Sequence, residues 1–190
     1  MKKYLEIAID KANHAQYDFL VTGQLSIQGA GVIYPNFSGE PTRFNPQGGQ
    51  RNFTLVLSED IAHKLIDEGW NIKERVDVED DVETHYFTTM INIRYDTVRP
   101  PKVIKLGQIG TKKYALELNE NTVGRLDRIL VENYDVVISP YHHNNVTPNG
   151  SSVKGYLNKL WATEAYDESD LDYKYEEYFA ASNEDSQETF

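Results

Sequence analysis

The 190-residue chain is 39% hydrophobic and 12% aromatic, enough apolar material for a buried core, and it contains no cysteine. Disulfides, thiol catalysis and thiolate metal sites are therefore excluded. With no apolar run of membrane-spanning length, and no apolar stretch after Met-Lys-Lys-Tyr-Leu, the chain reads as soluble, unexported and cytoplasmic. Charge is uneven. Of the 30 acids and 19 bases, ten acids and one base lie in residues 164–190, so that stretch carries −9 and the preceding body −2. A second acidic stretch, "DVEDDVE" (77–83), reads as a loop, and without both stretches the body is basic.

In chain order, residues 17–28 alternate apolar and polar, with Tyr17, Phe19, Val21, Leu25 and Ile27 on one face, which predicts a half-buried strand. Gly29–Gly31 breaks it, "VIYPNF" resumes an extended chain, and residues 36–50 form a Gly/Pro/Asn-rich loop. "RNFTLVLS" is the next strand. Ser58 is placed to cap a helix with Ile61, Leu65 and Ile66 as its buried stripe and Gly69 at its end. Residues 84–95 form a strand with Phe87, Ile91, Ile93 and Tyr95 on one face and Tyr86, Met90, Asn92 and Arg94 on the other. Two short strands flank Gly-Gln-Ile-Gly, a second helix is expected over 119–130, and "YDVVISPYHH" pairs with "VKGYLNKLWATEA" as a hairpin. On parity, Lys154 and Tyr156 share one face of that last strand. Lys159 and Trp161 share the other with Val153 and Leu157, which places Trp161 in the core.

Five to seven strands and two short helices without βαβ order predict a mainly β fold. The expected form is an OB-type antiparallel five-stranded barrel with extensions, one domain over 1–165, and an acidic tail over 166–190 that is disordered from about 182.

Enzyme chemistry finds little support. His142 and His143 are adjacent on a strand and point to opposite faces, so no metal is expected. Ser139 lacks a nucleophile elbow. "GQIGTKK" has the wrong glycine spacing for a phosphate loop, and Glu79, Asp80, Asp81 and Glu83 read as a solvated loop rather than a metal-dependent nuclease site. No cofactor is expected.

What the body does carry is rings interleaved with bases: Tyr34, Phe37, Arg43, Phe44 and Arg51; Tyr86, Arg94, Arg99, Lys102 and Lys105; Tyr141, Lys154, Tyr156 and Lys159. Cations follow phosphates and flat rings stack on unpaired bases, so this set predicts sequence-independent binding of single strands. Arg43 and Phe44 carry the most weight, because a ring in a polar loop has no core to join. The competing reading is an acidic interaction protein that mimics DNA and inhibits a host DNA-processing enzyme.

The blocks "YPNFSGEPTRFNPQGGQRNFTLVLSEDIAHKLIDEGWNIK", "RPPKV", "NTVGRLDRI" and "VKGYLNKLW", in this order over about residues 17–163, resemble bacteriophage single-stranded DNA-binding proteins. That resemblance implies an OB fold, cooperative or dimeric coating of single-stranded DNA in the bacterial host cell, and a role in DNA replication, recombination or repair. The tail resembles the acidic partner-recruiting tails of such proteins. It implies that Phe190 fills an apolar pocket on a polymerase, helicase or recombinase while Glu184, Asp185 and Glu188 steer toward its basic rim.

Overall fold

The computed structural model describes residues 1–166, and the acidic segment 167–190, with all four tail residues, lies outside them. Ten strands and three helices alternate in the order α1 (Lys3–His14), β1 (Gln16–Phe19), β2 (Leu25–Gln28), β3 (Gly31–Asn36), β4 (Arg51–Leu57), α2 (Glu59–Asp67), β5 (Lys73–Glu79), β6 (Val82–Ile93), β7 (Lys102–Ile109), β8 (Lys112–Leu118), a 3-10 helix (Val123–Arg128), β9 (Val131–His142) and β10 (Val153–Glu164). The mainly β class is as expected, with more strands than the five to seven anticipated. Among the described residues no helix is long and apolar enough to cross a membrane.

The strands join in one sheet whose main path is β1-β2-β9-β10-β6-β4-β3. Most pairs are antiparallel, and β10 organises the rest. Its first half runs parallel to β6 (Gly155 beside Ile91, Tyr156 beside Asn92). Its second half runs parallel to β7, with Lys159–Thr163 beside Lys102–Leu106. Gly155 is required at the first crossing, because a Cβ there would stand 2.6 Å from Ile91 Cδ1 and 2.9 Å from Trp70. The inner faces enclose one core built around Phe37, Phe53, Leu55, Ile91, Ile138 and Leu160. Each such side chain contributes about 1.5–3 kcal/mol by leaving water.

A second, smaller cluster lies on the opposite face, where α1 packs on β3 and β4 through Leu5, Ala8, Ala12, Ile33 and Val56. Gly31 allows that contact, since a Cβ would fall 2.2 Å from the Ala8 carbonyl oxygen.

Several elements differ from expectation. Residues 17–28 are a hairpin rather than one strand, turning near Gly23, whose φ is +82°. The alternation reads straight through the turn because Tyr17 pairs with Ile27 and Phe19 with Leu25, leaving odd-numbered residues on one face of both strands. The acidic stretch 77–83 is also a hairpin, the end of β5 and start of β6 joined at Asp80 and Asp81, with φ of 49° and 63°. Two consecutive positive φ values fit a type I′ turn, which matches strand twist. In α2, Ala62 fills the buried stripe in place of Ile66, which is exposed. Ser58 precedes that helix but makes no side-chain cap bond. The helix expected over 119–130 shortens to the 3-10 turn over 123–128. The β9–β10 hairpin is as expected.

Candidate nucleic-acid interface

The site grows from a defect in β10. Residues 153, 155 and 157 are buried and 154 and 156 point out; after Asn158 the buried positions become 160 and 162. The register with β9 slips between Leu157 and Lys159, where one extra residue is inserted. A bulge of this kind re-aims every later side chain by one face. Lys159 and Trp161 thus join Lys154 and Tyr156 on the outer face, and the parity that placed Trp161 in the core is overturned.

Cross-strand register assembles the rest of that face. Tyr141 lies opposite Lys154 and Ser139 opposite Tyr156. On the other edge Asn92 sits beside Tyr156 and Lys102 beside Lys159. Parity along β6 then carries the face from Asn92 to Arg94 in one direction and to Met90 in the other, beyond which Thr88 is buried and Tyr86 packs against the α1 cluster. Tyr141 and Tyr156 meet edge to face with centroids 5.8 Å apart. They line a cleft of about 470 Å3 together with Gln24, Arg94, Thr97, Arg99 and Asn158. Gln24 donates to Ser139 Oγ at 3.0 Å, tying β2 to the floor. A shallower apolar hollow of about 340 Å3 continues along β9 between Val137, Leu106 and Trp161. Above it the Lys159 ammonium stands 5.4 Å from the Trp161 ring centre. Three rings and five cations thus share one surface, the two ingredients that single strands require.

The cations are positioned but not buried. Arg94 grips Asp96 with two nearly parallel hydrogen bonds of 3.1 and 2.9 Å. That pair, with a contribution from the Tyr156 hydroxyl, holds the guanidinium charged and keeps the Asp96 carboxyl below its ordinary range. Both side chains are exposed, and such pairs are weak in water, so a phosphate can replace Asp96.

Of the residues singled out in the sequence, Arg94, Arg99, Lys102, Tyr141, Lys154, Tyr156 and Lys159 lie on or around this face. Seven do not. Tyr86 packs against the α1 cluster, beside Tyr34. Phe37 is 0% exposed and packs between Phe53 and Tyr134, so it belongs to the core and cannot stack on a base. Lys105 points to the opposite side with Ala162, where it meets Glu164 at 2.6 Å and the Tyr114 ring. Desolvation pulls its ammonium down, yet the bonds to Glu164 and Tyr114 outweigh it and leave it raised, already neutralised. Tyr34 stands beside α1, its hydroxyl 3.1 Å from that of Tyr4, with a strained φ of 51°. Arg43 and Phe44 lie together on the loop after β3, and the Phe44 ring is 93% exposed, as a ring with no core to join should be. Arg51 lines a separate cleft beside the 3-10 helix. Trp161 is the ring that sequence parity missed, since no residue type announces the bulge at Asn158. Glu79, Asp80, Asp81 and Glu83 lie at the tip of the β5–β6 hairpin.

The family described as "Putative phage ssDNA-binding domain" matches residues 14–188 of the chain. A search of curated proteins gives no match. Among solved structures, the chain is similar to the single-stranded DNA-binding protein from bacteriophage Enc34 in complex with ssDNA, at 14% identity and a TM-score of 0.48, covering 80% of this chain and 92% of that one. It is similar also to a C-terminal truncation of the Enc34 protein, at 15% identity and a TM-score of 0.46, covering 78% and 90%. The family match spans nearly the whole sequence, through the β10 face and into the acidic segment, and the chain belongs to this phage ssDNA-binding domain family.

Proposed function

We propose that the protein coats single-stranded DNA without regard to sequence, holding the strand across the outer face of β6, β9 and β10. The observation that carries this reading is the convergence of Tyr141, Tyr156 and Trp161 with Arg94, Arg99, Lys154 and Lys159 on one surface, where none of the three rings sits in the core. Every base has a π-face, so rings spaced along a strand accept any sequence, at about 1–3 kcal/mol per stacked base. The loop pair Arg43 and Phe44 gives the strand a further contact. The role is binding rather than catalysis.

The setting is phage DNA replication, recombination or repair inside the bacterial host. The chain serves there as one binding domain to about residue 165, followed by an acidic segment that recruits a polymerase, helicase or recombinase. The resemblance to tails with this composition supports that second role for Glu184, Asp185, Glu188 and Phe190. A homodimer fits the coating role.

Titration of fluorescent oligo-dT at rising salt tests the binding reading. Affinity is tight at low salt and falls linearly on a log–log plot. Undetectable binding at low salt overturns it.

A further inference from the structure

A second cationic site lies where the 3-10 helix meets the loop after β3. Arg51, Arg125 and Arg128 surround a cleft of about 480 Å3 whose remaining wall is Ser38, Glu120, Asn121 and Gly124. Two features fix its shape. Asp127 accepts hydrogen bonds from the backbone N–H of Phe37 (2.9 Å) and of Ser38 (2.8 Å), which anchors the helix to the loop. Gly124 faces Ser38 so closely that a Cβ would come within 3.0 Å of the Ser38 Cβ. The arginines therefore project from backbones that are held against each other.

Their present partners are incomplete. Arg51 reaches Glu120 through one carboxylate oxygen at 3.3 Å and one backbone carbonyl at 3.1 Å, and its Nε is buried without a partner. Arg128 meets Glu40 at 3.6 Å with both side chains exposed. Among the described residues Arg125 has no carboxylate partner. Three guanidiniums thus face two loosely held carboxylates, while the third carboxylate nearby, Asp127, is taken up by two backbone N–H groups, which leaves fork-shaped donors unused. Such forks match carboxylate and phosphate, and phosphate is the one that a nucleic-acid strand supplies.

The position of the cleft says which phosphate. Arg51 stands 5.3 Å over the ring of Tyr95, the residue directly after Arg94. Arg94 faces the DNA-holding surface and Tyr95 the other side of the same chain. A strand leaving the outer face at Arg94 has only to round the end of β6 to reach Arg51. We infer that this cleft is a phosphate-binding subsite, in which Arg51, Arg125 and Arg128 clamp a phosphodiester of single-stranded DNA beyond the segment held on the outer face. This rests on the single-strand reading proposed above.

Fluorescence anisotropy of the full chain with oligo-dT of two lengths tests it. One length is about 4–6 nucleotides, within the low end of the footprint of one such fold, and the other about 30. Arg125→Ala/Arg128→Ala weakens the long oligonucleotide roughly tenfold, lowers its salt slope by about 1–2, and leaves the short one within about twofold. Arg125→Lys/Arg128→Lys keeps the charge but not the fork and recovers part of the loss. Inorganic phosphate at millimolar concentration narrows the gap between lengths in the native chain and has no such effect in the Ala variant. Equal affinity of native and Ala chains for the long strand overturns the subsite, as does an equal loss at both lengths. Phosphate acting alike on native and Ala chains assigns its effect to general screening and overturns it too. Failure of the native chain to bind either length is a different result and sinks the single-strand reading itself.

Discussion

Strand β6 runs through two regions of opposite character. Its first residues pair with β5 in a hairpin whose turn and flanks carry Glu74, Asp77, Glu79, Asp80, Asp81 and Glu83. Its last outward residue, Asn92, and Arg94 just past its end enter the cationic, aromatic face. From Val82 to Arg94 the rise is about 40 Å at 3.3–3.4 Å per residue. The Debye length at physiological salt is about 8 Å. Acids at one end of the strand therefore contribute almost nothing to the potential at the other. The lesson is that net charge, here −11, is a poor guide to a site. Charge is sorted along one strand, and the local set decides what binds.

The largest effect belongs to the inner side of the sheet. Phe37→Ala removes about 3–5 kcal/mol of stability, measured by denaturant unfolding, because the ring is wholly enclosed. Phe44→Ala, seven positions on, leaves stability unchanged within about 0.5 kcal/mol. A comparable loss for Phe44 would mean that the loop ring has a packing role. Next comes the outer face: Arg94→Ala/Tyr156→Ala weakens oligo-dT binding about 100-fold, the combined worth of a stacked base and a phosphate contact, with an unchanged melting temperature. Full affinity in that variant would move the strand elsewhere.

Neutralising the arm tip is a far smaller change. Asp80→Asn/Asp81→Gly keeps a favourable type I′ turn and alters affinity by less than about twofold at physiological salt. A tenfold gain would show that the arm competes with DNA directly. The smallest effect concerns pH. His85 is raised above its ordinary value by its hydrogen bond to Glu74, against some desolvation, with Glu83 adding to the rise. The interaction is fully present below about pH 6.5 and is lost as pH climbs through the raised value. An NMR titration of His85 should give a midpoint above 6.5 that falls in Glu74→Gln, while DNA affinity stays level over that interval.

Much of this was legible in the sequence. The β9–β10 hairpin, the core side of β6 and the outward Arg94 follow from period-two patterning, which reports burial directly. Other features leave a weaker trace. The Asn158 bulge is set by how β10 leaves β6 for β7, a tertiary event without a residue signature, and it reversed the reading of Trp161. The β5–β6 hairpin projects with both faces wet, so no alternation marks it. Phe37 sits at the edge of a polar loop and reads as exposed, yet the chain turns there and drives the ring inward. Helix α1 hides its pattern in small residues, Ala8 and Ala12, because Gly31 lets the backbones approach closely.

Trp161 also offers the most direct test. The chain has two tryptophans, and Trp70 is 5% exposed inside the core, so of the two only Trp161 can stack on a base. Titrating oligo-dT into the native protein while following tryptophan emission should give saturable quenching that reverses with added salt and disappears in Trp161→Phe. Emission that stays constant while anisotropy shows the DNA to be bound would place the strand away from β10 and contradict the account.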